Sequence, residues 1–196
     1  WSTNKAQLHL MEKMDFHCET RLKNDRGEGI DTLYFVKEIT GKGIRAYGYT
    51  IGNGKCGIRN TITDVPGVKV GHYTVRKGKN QTGVTVIIPC DGFVYERKPL
   101  AAVYALNGFG KTQGTVQIEE LGVLETPIAL TNTLNVGKAA DGLVTFTEKE
   151  CRKNGKELVS VNPVVGETND SRINQITERV IEAEDVLFAI EHAEKN

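Results

Sequence analysis

The chain is 196 residues long, enough for one domain, or one and a fragment, with a core that buries roughly 70% of the unfolded surface. Lys and Arg number 25 and Asp and Glu number 25, which excludes binding of nucleic acid through a general basic field and excludes a polybasic membrane anchor. A hydrophobic content of 39% is too high for a disordered chain, and 21 glycines point to many tight turns.

Residues 1–42 are the least regular stretch. They are polar, with Met11 and Met14 as internal starts to consider, and Leu33-Tyr34-Phe35-Val36 predicts a short strand. A glycine-rich loop runs from Gly48 to Gly57. Val65-Pro66-Gly67 then places Pro and Gly where a type II turn wants them. Val68–His72 alternates apolar and polar as a half-buried strand does, and Gly83–Ile88 is a β-branched run ended by Pro89. The same alternation predicts a strand over Thr115–Glu119. Pro127–Thr131 is nearly all apolar and reads as a central strand. From Val136 to about Arg152 apolar residues recur at three and four, predicting a helix with Gly155 as its cap. Leu158–Val161 predicts a further strand, and Ala183, Val186, Leu187, Ile190 and Ala193 form a helical stripe running to the end. The class is α/β or α+β on this pattern.

The chemistry is not advertised by motifs. Cys18, Cys56, Cys90 and Cys151 form no CxxC pair, and His9, His17, His72 and His192 form no HExxH, so neither a metal nor a cofactor is called for. Reduced thiols, no signal peptide and no long apolar run suggest a cytoplasmic protein. The sequons at Asn80 and Asn169 are chance matches without a secretory context. Ala105–Thr112 fits a relaxed phosphate-loop expression, but the first glycine is missing and the continuation reads as strand, so nucleotide binding is a weak alternative. No GxSxG pentapeptide is present.

Three polar clusters stand out. Thr131-Asn132-Thr133 follows a buried-looking strand and precedes a helix, where oxyanions and substrates tend to bind, although a single helix cap would also explain it. Gln117 and Glu119 share one face of the predicted strand, which equally describes a solvent-facing edge. Val164–Asp170 runs into a polar turn that ends at Ile173-Asn174 and could be an ordinary loop.

Taken in order, these segments resemble a known group. Asn60-Thr61-Ile62-Thr63-Asp64-Val65-Pro66-Gly67-Val68-Lys69-Val70-Gly71-His72 is similar to the opening signature of the L-aminopeptidase/D-amino-acid esterase-amidase family, which includes the β-aminopeptidases. Leu106–Thr112, Gln117–Gly122, Glu125–Ile128, Thr131–Gly137, Val164–Asp170 and Ile173-Asn174 continue the match, which runs from about Gly43 to the end. The resemblance implies an α+β fold, an αββα sandwich with the layers of N-terminal-nucleophile hydrolases, incomplete in this chain. Residues 43–196 would be the first-subunit part of an aminopeptidase or amidase, and 1–42 a divergent or extraneous segment.

Members of the family cut themselves into two subunits. The new N-terminal Ser or Thr of the second is the nucleophile, and its own amine can serve as base. By resemblance, Asn174 is the oxyanion-hole donor. Gln117 and Glu119 would contact the substrate, with Asn132 and Thr133 near the same cleft. Gln175 stands where many relatives carry Asp, so that Asp has no counterpart here. The expected partners are a small peptide or amino-acid amide or ester, the second subunit and further copies in a homo-oligomer, with no nucleic acid and no membrane. The nucleophile is expected beyond Asn196, which makes this chain alone inactive and leaves sheet edges or an apolar face exposed. A non-catalytic binding or assembly protein that keeps the fold is the alternative.

Overall fold

The computed structural model describes residues 5–13, 17–25, 27–36, 47–50, 52–105 and 108–195. The chain divides into two compact units, residues 1–55 and 56–196. In the first unit, helix α1 (Lys5–Lys13) precedes two antiparallel strands, β1 (His17–Leu22) and β2 (Thr32–Val36), the latter where the sequence predicts it. Side chains hold their turn. The buried Asp31 pairs with Arg21 and accepts the Asn24 backbone N–H at 3.0 Å. The Asn24 N–H first, then the Arg21 guanidinium, keeps the Asp31 carboxyl below its ordinary range.

The second unit is built on a four-stranded sheet. Strands β3 (Lys69–Lys77) and β4 (Asn80–Ile88) form a hairpin, β5 (Ile128–Asn132) is antiparallel to β4, and β6 (Val164–Thr168) runs parallel to β5. The Val65–Val68 turn forms as read, with Gly67 at φ 85° and the Val68 N–H on the Val65 carbonyl at 3.1 Å. Gly78, at φ 57°, takes the first position of the two-residue hairpin turn, which asks for that conformation there.

One face of the sheet carries the main core. Val84 and Val86 of β4, Ala129 of β5 and Val165 of β6 are all buried on it. Helices α4 (Val136–Lys153) and α5 (Ala183–Glu191) cover this face through Leu143, Val186 and Ile190, each worth about 1.5–3 kcal/mol of burial. The approach is close because Gly71 has no side chain. A Cβ there would lie 1.8 Å from the Ala189 carbonyl oxygen. Gly155 ends α4 at φ 66°, as expected of a C-terminal cap.

The opposite face is divided. At one end Val94, Ile118, Leu124 and Val164 form a smaller core, reached by α2 (Val94–Arg97) and α3 (Thr115–Leu121). Further along, the face is open, with Leu130 and Ile173 42% and 62% exposed. The sheet edges are partly closed. Val70 exchanges two backbone bonds with Glu194, and Gln113 two with Val165. The fold is α+β, with one helical layer on one sheet in this unit. No described helix is long and apolar enough to cross a membrane.

Two sequence expectations are corrected. Thr115–Leu121 is a helix, not a strand. Gly114 at φ 84° opens it, Gly122 at φ 67° closes it, and only Ile118 is buried, so the Val116–Ile118 alternation was not a sheet pattern. Leu158–Val161 is irregular, with Val159 87% exposed; the strand lies later, at β6, where Val164 and Val165 are buried by the two cores.

Buried groups pin the start of β6 beside β5. The Glu125 carboxylate pairs with Lys98 at 2.8 Å and accepts the Asn162 N–H at 3.0 Å, while the Thr126 hydroxyl oxygen accepts the Val164 N–H at 3.2 Å. Burial by itself would raise the Glu125 carboxyl, but Lys98 and the Asn162 N–H outweigh it and leave it below the ordinary range. Its folded value therefore lies below the unfolded one of about 4.3. The contribution is complete above the unfolded value and is lost as pH falls through the folded one. Urea unfolding from pH 7 to pH 3 should show a steep loss of stability that Glu125→Gln makes shallower; an unchanged slope would count against this role.

Candidate active site

The C-terminal ends of β5 and β6 lie side by side because the two strands are parallel, with Asn132 opposite Thr168. The β3–β4 hairpin adds Gln81 and Thr82 from the other side. Between them, on the open face, is a cavity of about 380 Å³, lined among others by Thr74, Thr85, Leu130, Asn132, Asp170 and Ile173.

A hydrogen-bonded chain of side chains runs from its lining, at Asn132, Thr82 and Asp170, to Asn174 behind it. The Asn132 amide donates from Nδ2 to Thr82 Oγ1 at 2.8 Å. The Thr82 hydroxyl donates to Asp170 Oδ2 at 2.6 Å. The second Asp170 oxygen, Oδ1, accepts from Asn174 Nδ2 at 3.1 Å. Asn174 Oδ1 in turn accepts the Gln81 backbone N–H at 3.2 Å. A tight turn makes this possible, since the Ile173 and Asn174 N–H groups both bond the Asp170 carbonyl at 2.9 Å. The Gln175 N–H bonds the Lys79 carbonyl at 3.0 Å, tying the turn to the hairpin.

Asn132 and Asn174 are both buried, 3% and 6% exposed. The Asn132 Oδ1 atom is buried without a hydrogen-bond partner among the described residues. Such an atom costs about 1–3 kcal/mol and in a native protein asks for an explanation. Asn174 keeps its second Nδ2 hydrogen without a partner among the described residues. It stands behind Asp170 rather than in the cavity lining.

Of the other sequence candidates, Thr133 donates its hydroxyl to Glu167, whose Oε1 accepts the Lys111 N–H at 3.2 Å. Gln117 and Glu119 sit on α3, away from the cavity lining. On a helix they do not share a face. Glu119 is exposed, whereas both amide atoms of Gln117 are buried with no hydrogen-bond partner among the described residues. The residues that reading the sequence missed are Thr82 and Asp170. Thr82 sat inside a sequon set aside as chance, and Asp170 ended a stretch that passes for a loop.

The phosphate-loop candidate gains nothing. Leu106 and Asn107 lie outside the described residues. Lys111 Nζ donates to the Phe109 carbonyl at 2.8 Å and lies 3.7 Å from the Phe109 ring centroid. The chain then makes the Gln113–Val165 bridge before α3 begins, so no helix starts directly after Thr112. No group of three or more His, Cys, Asp or Glu is placed to hold a metal among the described residues.

The family model for Peptidase family S58 matches residues 60–196. The chain belongs to peptidase family S58. Within it, the chain is similar to the β-peptidyl aminopeptidase BapA of Sphingosinicella microcystinivorans, at 35% identity over 150 residues. That match takes in 71% of this chain and 36% of the relative, so the chain spans about a third of the curated relative's length. Among solved structures it resembles a Burkholderia sp. β-aminopeptidase, with TM-score 0.69 and 42% identity over 76% of this chain and 43% of the other. It also resembles the L-aminopeptidase D-Ala-esterase/amidase of Ochrobactrum anthropi, with TM-score 0.66 and 30% identity over 74% of this chain and 43% of the other. That structure is described as a new variant among the Ntn hydrolase fold.

The hydroxyl of Thr82 is the joint of this S58 site. Replacing it by the isosteric Thr82→Val leaves Asn132 with neither amide group partnered. Urea unfolding should show a loss of about 1–3 kcal/mol. Unchanged stability would mean that the chain of bonds does not hold the site together.

Proposed function

We infer that this protein is an aminopeptidase or amidase that releases N-terminal amino acids from peptides, amides or esters, with Asn174 as an oxyanion-hole donor. Family membership supports the reaction class, and one observation carries the residue. The Asn174 amide is clamped at both ends, by the Gln81 N–H on Oδ1 and by Asp170 on one Nδ2 hydrogen, so a second N–H remains to give. A donor held in place before charge develops loses nothing to reorganisation, and such a donor is typically worth about 2.7–4 kcal/mol in the transition state.

In this reading residues 43–196 belong to a first subunit, and the protein cuts its own precursor. The nucleophile is a Ser or Thr at the new N-terminus of the second subunit, whose α-amino group removes the hydroxyl proton. Attack on the substrate carbonyl gives a tetrahedral oxyanion, which Asn174 stabilises. Asn132, Thr133, Gln117 and Glu119 serve substrate binding in this reading, Gln117 and Glu119 from α3 outside the cavity lining. The protein works as a cytoplasmic homo-oligomer on small substrates, without nucleic acid or membrane.

The test is kinetics of the full-length processed protein on α- and β-aminoacyl p-nitroanilides. Asn174→Ala should lower kcat about 10²–10³-fold with KM little changed. A kcat equal to that of the parent would remove Asn174 from the chemistry, and no turnover by the parent itself would favour a non-catalytic protein that keeps the fold.

A further inference from the structure

The Asp170 carboxylate sits between two amides, and its chemistry decides how both are turned. An ionised carboxylate accepts hydrogen bonds and donates none. Thr82 therefore spends its single hydroxyl hydrogen on Asp170 Oδ2, and its oxygen is left to accept. Asn132 must then face Thr82 with Nδ2, which sends Oδ1 to the position where it is buried and unpartnered. On the other side Asp170 Oδ1 asks for an N–H, so Asn174 faces it with Nδ2. The Gln81 N–H asks for an acceptor and receives Asn174 Oδ1.

The orientation matters because an amide is nearly symmetric in shape and opposite in polarity at its two ends. A flipped Asn174 would fill the same space while presenting a carbonyl oxygen to a developing oxyanion. Packing cannot distinguish the two states, but hydrogen bonds can. Asn174 is 6% exposed, so water is not at hand to compensate a wrong orientation.

We propose that Asp170 is a positioning residue for Asn174, fixing its amide so that Nδ2 is the end available to the reaction, while the same carboxylate sets the orientation of Asn132 through Thr82. The inference rests on the reading of Asn174 as oxyanion donor. Asp170 itself exchanges no proton with the substrate. Its effect passes entirely through the amides it holds.

A double-mutant cycle on the full-length processed protein separates this from a general structural role. Asp170→Asn keeps the shape but can offer either an oxygen or an NH₂ to each neighbour, so it releases one of the two constraints on Asn174. It should lower kcat about 10- to 100-fold, in line with the cost of misplacing a reacting group, whereas its effect through Thr82 on Asn132 falls on KM. In the Asn174→Ala background the same change should lower kcat no further, because the Asn174 amide is no longer there to position, and what passes through Thr82 to Asn132 falls on KM. Thermal unfolding confirms that each variant is folded; should Asp170→Asn not fold, Asp170→Glu, which keeps an acceptor-only head group at a shifted position, takes its place in the cycle. Losses that multiply in the double variant, or a kcat unchanged by the Asp170 variants, would overturn the proposal while leaving Asn174 in the chemistry. A kcat unchanged by Asn174→Ala would overturn the oxyanion reading and this inference with it.

Discussion

The parallel pairing of β5 with β6 is the constraint from which the site follows. An antiparallel neighbour would bring the end of one strand beside the beginning of the next. A parallel one brings two C-terminal ends together, and here Asn132 ends one strand with Thr133 just after it, while Glu167 and Thr168 end the other with Asp170 just after them. Parallel strands need a long connection, and α4 supplies it while covering the core face. The pinning of the β6 start by Glu125 and Thr126 fixes the register, so the polar ends meet rather than slide past each other.

What those ends do is set by donor and acceptor counting. Asp170 has only lone pairs to offer, and it receives the Thr82 hydroxyl and the Asn174 amide. Glu167, three residues before Asp170, works similarly, receiving the Thr133 hydroxyl and the Lys111 N–H. Buried polar networks of this sort are costly when incomplete. Among the described residues the buried side-chain atoms without a hydrogen-bond partner are Oδ1 of Asn80, Asn132 and Asn135 and both amide atoms of Gln117. Of these, Asn132 and Gln117 are residues that the family resemblance assigns to substrate binding, and a functional site is where such a cost is expected.

Much of the frame was legible in the sequence because it follows periodicity. Strands β3, β4 and β5, helix α4 and its Gly155 cap and the Val65–Val68 turn obey local rules and form where those rules put them. Helix α3 was misread because Val116 and Ile118 alternate, although the two glycines at its ends and the exposure of Val116 make it a short capped helix. Strand β6 passes for a loop in sequence because only Val164 and Val165 carry an apolar signal before Gly166 and Glu167. Ordered motifs led to Asn174 and Asn132, yet the bonds that give them an orientation were not legible. Thr82 and Asp170 are 88 residues apart, and nothing in either neighbourhood announces the other.

The direction of the Asn174 amide decides whether it can serve as the proposed oxyanion donor. A crystal structure of the full-length processed protein with a tetrahedral boronate or aldehyde adduct on its nucleophile would show it directly. The prediction is an adduct oxygen about 2.7–3.1 Å from Asn174 Nδ2, with Asn174 Oδ1 still on the Gln81 N–H and Asp170 still on the other Nδ2 hydrogen. An adduct oxygen held by other donors, with Asn174 out of hydrogen-bond reach, would contradict it.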